Sequence, residues 1–189
     1  DYWRVVGDIG DRLGVRPVPV TVPSLAVAGG VLHLLRGAVL TFDPADQGST
    51  VHEQEARGAD AEQLEARRRE LIESLADLDD VVMEKYLGEE VLSEDELRAA
   101  LRRATLSGQA VPVYCGSALK NIGVQPLMNG VTHFLPSPEE SRSRERVLSR
   151  MEEAGVKGDQ FVGFVFKVLF EGAHKKIFLR VYNGRVAEN

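Results

Sequence analysis

Only one of the 189 residues, Cys115, is a cysteine. An internal disulfide is therefore excluded, and no His/Cys spacing suggests a zinc site. A lone thiol fits a reducing compartment. Because Cys115 closes an apolar, strand-like run, it reads as a buried structural thiol rather than a nucleophile. Long hydrophobic runs are missing as well, so there is no candidate membrane span, and no signal-peptide pattern is present. An initiating methionine is also lacking: the chain opens at Asp1 and stops at Asn189 just after a strand-like stretch, and both ends are expected to be cut. What is there is ordinary for a globular protein, 43% hydrophobic and 28% charged. That suffices for one sizeable core, or for one and a half small domains.

The net charge of −6 hides a division. Residues 52–108 hold sixteen acidic against eight basic side chains, while the remainder holds thirteen acids and fifteen bases. The middle of the chain is an acidic island. Solvated helix faces explain most such islands, and a protein-binding surface is the other reading.

Periodicity orders the elements. Trp3, Val6, Ile9 and Leu13 share one helical stripe that Gly14 closes. PVPVTVP then alternates like a strand whose prolines each remove a ladder donor, which suits an edge or strand ends. GGVLHLLRGAVLTFD reads as a hairpin around Arg36-Gly37, with His33 on a sheet face rather than acting as a ligand. Residues 43–58 show no periodicity and are expected to form a mobile loop. Leu64, Leu71, Leu75, Val82 and Tyr86 keep a helical rhythm from about Asp60 to Leu87, predicting one long helix. Ser93 and Glu96 form a capping box, and Leu97, Ala100, Leu101 and Ala104 give the next helix its apolar stripe.

AVPVYC is an unbroken apolar run of the kind buried on both faces of a sheet. It ends in Gly116-Ser117-Ala118-Leu119-Lys120-Asn121, small and polar residues at a strand's carboxyl end. Ligands of open α/β sheets bind at that edge. A helix with Leu127, Val131 and Phe134 on its inner face follows, stopped by Leu135-Pro136-Ser137-Pro138. The charged stretch to Asp159 reads as a linker with one helical turn. FVGFVFKVLF and KIFLRVY alternate strongly and form a β-hairpin, joined by Glu171-Gly172-Ala173-His174-Lys175, that opens an all-β domain.

This order of parts resembles elongation factor G and its relatives among the translational GTPases. YWRVVGDIGDRLGVRPVPV is similar to the family segment that directly follows the guanine-reading Asn-Lys-x-Asp motif. DDVVMEKYLGEEVLSEDELRAALRRATLSG resembles the family's G-prime subdomain, and VFKV with RVYNG resembles the start of domain two. The implied fold is α/β: the C-terminal part of a P-loop GTPase-type G domain (residues 1–24 and 109–138) with an α+β insertion (25–108). A linker (139–158) and the first strands of an all-β barrel domain (159–189) complete the expected layout. The sequence departs from the family at PSLAVAGGVLHLL, which is shorter and more apolar, and at EGAHKK. These departures leave open a paralogue or a tetracycline-type ribosomal protection protein, while MEKYL favours the elongation factor G side.

The resemblance implies a site and marks gaps. Ser117, Ala118 and Leu119 match the fifth GTPase motif. The Ala118 N–H would donate to the guanine carbonyl oxygen, the Ser117 hydroxyl would brace the loop, and Leu119 would pack near the base. Small residues suit that task because only bare backbone approaches a purine edge closely. No Gly-x-x-x-x-Gly-Lys-Ser/Thr and no Asn-Lys-x-Asp occurs, so nothing here cradles phosphates or holds magnesium. GTP or GDP and magnesium are expected of the parent chain, and neither nucleotide binding nor catalysis of this stretch alone. Lys175, Lys176, Arg180 and Arg185 are candidate contacts to ribosomal RNA phosphates. The implied partners are the ribosome, through its RNA and its stalk protein, with no membrane and no DNA, in the cytoplasm. A rival reading is a pure interaction module in which the acidic insertion docks on a ribosomal partner. The hairpin, short of barrel partners, is expected to lean on the rest of the chain or to pair with a second copy.

Overall fold

The structure, a computed structural model, describes residues 1–137, 140–172 and 174–188. Pro138 of the helix stop, Ala173 of the hairpin turn and the terminal Asn189 lie outside them. The chain divides into two compact units, Asp1–Leu135 and Pro136–Asn189. Among the described residues no helix is long and apolar enough to cross a membrane.

Helix α1 (Tyr2–Leu13) starts where the Asp1 carboxylate accepts the Arg4 N–H and ends at Gly14, whose φ of 63° only glycine adopts cheaply. Its stripe faces the core shallowly: Val6 and Ile9 are half-buried, and Leu13 is 69% exposed. Strand β1 (Pro17–Pro19) runs parallel to β6 (Val111–Val113). The flanking Arg16 and Val20 make ladder bonds, Val111 N–H to Arg16 O and Val20 N–H to Val113 O. Pro17 and Pro19 therefore turn their missing donors to the outer edge, as their spacing predicts.

Val20 joins two sheets. While its N–H pairs with Val113, its carbonyl accepts the Leu34 N–H at 2.9 Å. The chain then continues as β2 (Thr21–Pro23) in an antiparallel sheet ordered β2-β3-β4-β5, with β3 at Val31–His33, β4 at Ala38–Phe42 and β5 at Val51–Gln54. The hairpin around Arg36-Gly37 is thus present. The expected mobile loop is not all loop, because β5 pairs with β4, Leu40 opposite Glu53 and Thr41 opposite His52. His52, Glu53 and Gln54 are exposed on this edge strand, so no apolar alternation betrays it.

The single long helix expected over 60–87 is two, α2 (Ala59–Ala76) and α3 (Asp80–Leu87). Asp79 breaks it: its backbone is extended and its carboxylate accepts the Val82 N–H. The same carboxylate meets the Arg103 guanidinium at 2.6 Å. Helix α4 (Glu94–Leu106) begins with the predicted capping box of Ser93 and Glu96. Leu71, Leu75, Val82, Leu97 and Leu101 are each 3% exposed or less and share one core with Val18, Val20, Val22, Leu32 and Leu35. Asp60, at 2% exposure, is buried with its needs met, accepting from the Ser24 hydroxyl and the Leu25 and Ala26 N–H groups.

Two expectations near β6 are corrected. The AVPVYC run is not fully buried: Val111 is 39% exposed and Pro112 to Cys115 are half-buried. In α5 (Val124–Phe134) the inner face carries Pro126, Gly130 and Phe134, while Leu127 and Val131 point outward. Gly130 faces inward because the Tyr114 ring packs on it: a Cβ there would lie 2.4 Å from the Tyr114 hydroxyl oxygen.

In the second unit the expected single turn is a full helix, α6 (Arg142–Glu153). Strands β7 (Val162–Glu171) and β8 (His174–Asn183) form the predicted hairpin as a two-stranded sheet, with Phe166 as an extra residue where the register shifts. Asn183 secures its base by donating to Gly158 O and Gln160 O.

Candidate functional site

The loop after β6 is held by crossing backbones. Cys115 N–H donates to Thr21 Oγ1 at 2.9 Å, tying the loop to β2. Ser117 and Ile122 exchange N–H···O bonds at 2.8 and 3.0 Å, closing a tight ring. The ring closes because Gly116 and Gly123 pass each other without side chains. A Cβ on Gly116 would lie 2.3 Å from the Ile122 carbonyl oxygen, and one on Gly123 would lie 2.4 Å from the Cys115 oxygen. Gly123 also needs its φ of +74°.

Inside the ring, Ala118–Lys120 make one 3-10 turn that ends at Asn121 in the left-handed region. Lys120 N–H returns to Ser117 O and Asn121 N–H to Ala118 O. The Ala118 N–H makes no hydrogen bond among the described residues, and Ala118 is exposed. Beside it Leu119 is 98% exposed. A free amide next to an uncovered apolar side chain on a stiff loop suits the carbonyl edge and face of a flat heterocycle. The expected bracing by the Ser117 hydroxyl is not seen: that side chain caps nothing at the turn, and Ser117 is held by its backbone N–H and C=O instead.

Burial pushes the Cys115 thiol above its ordinary range, against the pull of the Thr21 hydroxyl. The thiol stays protonated at neutral pH and is a structural group. Tyr114, pushed up to about 12 by burial, is neutral too. The loop carries no charge apart from Lys120. Among the described residues no group of three or more His, Cys, Asp or Glu side chains is placed to hold a metal ion. The loop itself offers a bare amide, an exposed apolar side chain and one lysine, with no carboxylate.

Sequence reasoning missed the supports of this loop. Thr21, Gly123 and Gly48 touch it, and Gln125 Nε2 in turn donates to Gly48 O at 2.6 Å. The Gly-Ser of residues 48–49, in an otherwise unpatterned stretch, was the available signal.

The basic cluster is divided by the strand register. Cross-strand partners share a face, so Lys176 (opposite Leu169) and Arg180 (opposite Phe164) stand together, and Lys175 (opposite Phe170) stands on the other face. Lys176 is also paired with Glu171 at 2.6 Å, and Arg185 lies beyond the end of β8.

The chain matches elongation factor G of several bacteria from end to end. It is 39% identical to elongation factor G 2 of Desulfotalea psychrophila over 194 aligned positions, covering 100% of this chain and 28% of the relative. This is an elongation factor G-like chain. Elongation factor G 2 of Syntrophus aciditrophicus is 35% identical, with 98% of this chain covered, and elongation factor G of Neorickettsia sennetsu is 36% identical, with 97% covered. The elongation factor G-like stretch spans about 28% of the length of these curated relatives. A solved protein of Thermus thermophilus superposes with a TM-score of 0.69 at 27% identity, over 98% of this chain and 26% of the other. That agrees with the α/β fold followed by β strands. No family model matches the chain.

Proposed function

We propose that this stretch belongs to a longer GTP-binding translation factor that hydrolyses GTP on the ribosome during translocation, and that residues 117–119 supply its guanine-base loop. The observation that carries the reading is the free Ala118 N–H on a rigid, glycine-crossed loop, in a chain similar throughout to elongation factor G. Adenine presents a donor where guanine presents a carbonyl, so one fixed N–H discriminates between them. The phosphate cradle, the magnesium ligands and the switch residues lie outside this stretch, which holds the end of the G domain (1–24 and 109–138), the insertion (25–108) and, after a linker (139–158), the start of a barrel domain (159–189).

The cytoplasm, where ribosomes work, is the expected location. The face of Lys176 and Arg180 is the better placed of the basic residues for RNA phosphates, and the acidic insertion is the surface for a stalk protein. The test is GTP hydrolysis by the full-length protein with and without ribosomes. Strong stimulation by ribosomes supports the reading; equal rates, or no hydrolysis, contradict it.

A further inference from the structure

We propose that Gly48 and Gln125 form a clamp through which the insertion positions the guanine-base loop, making both specificity-positioning residues. The inference rests on the reading of residues 117–119 given above. Gly48 sits in the turn between β4 and β5, which is stiff. Its N–H donates to Asp43 O at 2.7 Å, and the Asp46 carboxylate accepts the Ser49 and Thr50 N–H groups at 2.9 Å each. Asp43 in turn accepts the Ala45 N–H.

This braced turn presses its bare α-carbon against the far end of the loop. Gly48 is buried, and a Cβ there would lie 2.9 Å from Asn121 O and 3.1 Å from Lys120 O. Its φ of +76° is one that other residues adopt only with strain. Gln125, in the first turn of α5, fastens the contact by donating to Gly48 O. The clamp reaches Ala118 in one step, because Asn121 N–H holds Ala118 O at 3.1 Å. That bond holds the Ala118–Leu119 peptide, which shares its α-carbon with the peptide carrying the donor, so a shift of the β4–β5 turn is passed on to the donor. Hydrogen bonds weaken steeply with distance and angle, so a displacement of a few tenths of an ångström at Ala118 is felt at the base. The insertion thereby becomes a lever on nucleotide affinity, although it contributes no group to the base contact itself.

The experiment uses the full-length protein and two probes, GDP and the diphosphate of 2-aminopurine riboside, which lacks the 6-oxo group. The readout is the ratio of their affinities in wild type, Ala118→Pro, Gly48→Ala and Gln125→Ala. Proline at 118 removes the donor but suits the first position of the turn after an extended Ser117. We expect the preference for GDP to fall in all three variants, about tenfold for Ala118→Pro and by a smaller factor for the clamp variants. A clamp that is merely structural would lower both affinities together and leave the ratio unchanged. A ratio that falls in Ala118→Pro but not in Gln125→Ala or Gly48→Ala overturns the clamp. A ratio unmoved even by Ala118→Pro overturns the base-loop reading, and the clamp with it. Should Gly48→Ala fail to fold, Gln125→Ala, which adds no atoms, decides the matter.

Discussion

Gly116 and Ile122 cross so closely that a methyl group on Gly116 would lie 2.3 Å from the Ile122 carbonyl oxygen. That contact is backbone against backbone, so no side chain can swing away to relieve it. Gly116→Ala is therefore expected to pry apart the Ser117–Ile122 pair and to destabilise the chain by about 1–3 kcal/mol. Denaturant unfolding of the purified variant measures it; a change under half that range would mean the loop rearranges freely.

The core prediction concerns two leucines on different helices. Leu75 on α2 and Leu101 on α4 are both 0% exposed. Truncating either to alanine leaves a cavity in a close-packed interior and is expected to cost about 2–5 kcal/mol. Loss of thermal or denaturant stability checks this, and an exposed control such as Val91→Ala, at 92% exposure, is expected to change little.

His33 makes the stability depend on pH. Burial lowers its pKa to about 4, with the nearby Arg36 guanidinium adding to the effect. The unfolded chain binds that proton at an ordinary pKa near 6.5, so between the two values the unfolded state holds more protons. Stability is then full above about pH 6.5 and declines as pH falls toward 4, by up to about 3 kcal/mol from this group. His33→Asn, which keeps an acceptor for the Arg36 N–H, is expected to flatten the slope over that window. Equal slopes in the two proteins would contradict the assignment.

The hairpin of the second unit predicts self-association. Phe164, Phe166 and Phe170 are 59%, 57% and 74% exposed, and among the described residues no further strand pairs with either edge of the two-stranded sheet. Such a surface recruits another strand or another apolar face. Sedimentation of the chain is expected to show a concentration-dependent dimer that weakens when the chain is shortened to about residue 158. A monomer at high concentration in both forms would contradict it.

Legibility in the sequence tracked burial. The stripes of α2 and α4 could be read because their leucines face one core, and the capping box because its chemistry is local. Asp79 read as one more acid in a helix, since nothing in its neighbours marks an N-cap whose second role is to hold Arg103 from 24 residues away. Strand β5 carries exposed His, Glu and Gln, and an edge strand of that kind has no period to detect. The face of α5 was misread because volume misleads there: Gly130 is inside so that Tyr114 can be, and Leu127 is outside. At the site, the motif gave the loop its place. The Thr21–Cys115 and Gly48–Gln125 bonds join residues 94 and 77 positions apart, which no local pattern records.

The central claim, that the Ala118 N–H reads the base, is tested most directly by hydrogen exchange at that amide in the full-length protein. The structure leaves this N–H without an acceptor among the described residues. Saturating GDP is expected to slow its exchange strongly, while the 2-aminopurine analogue, bound to the same occupancy, leaves it close to the free rate. Exchange at Ala118 that is equally fast with GDP bound would contradict the account.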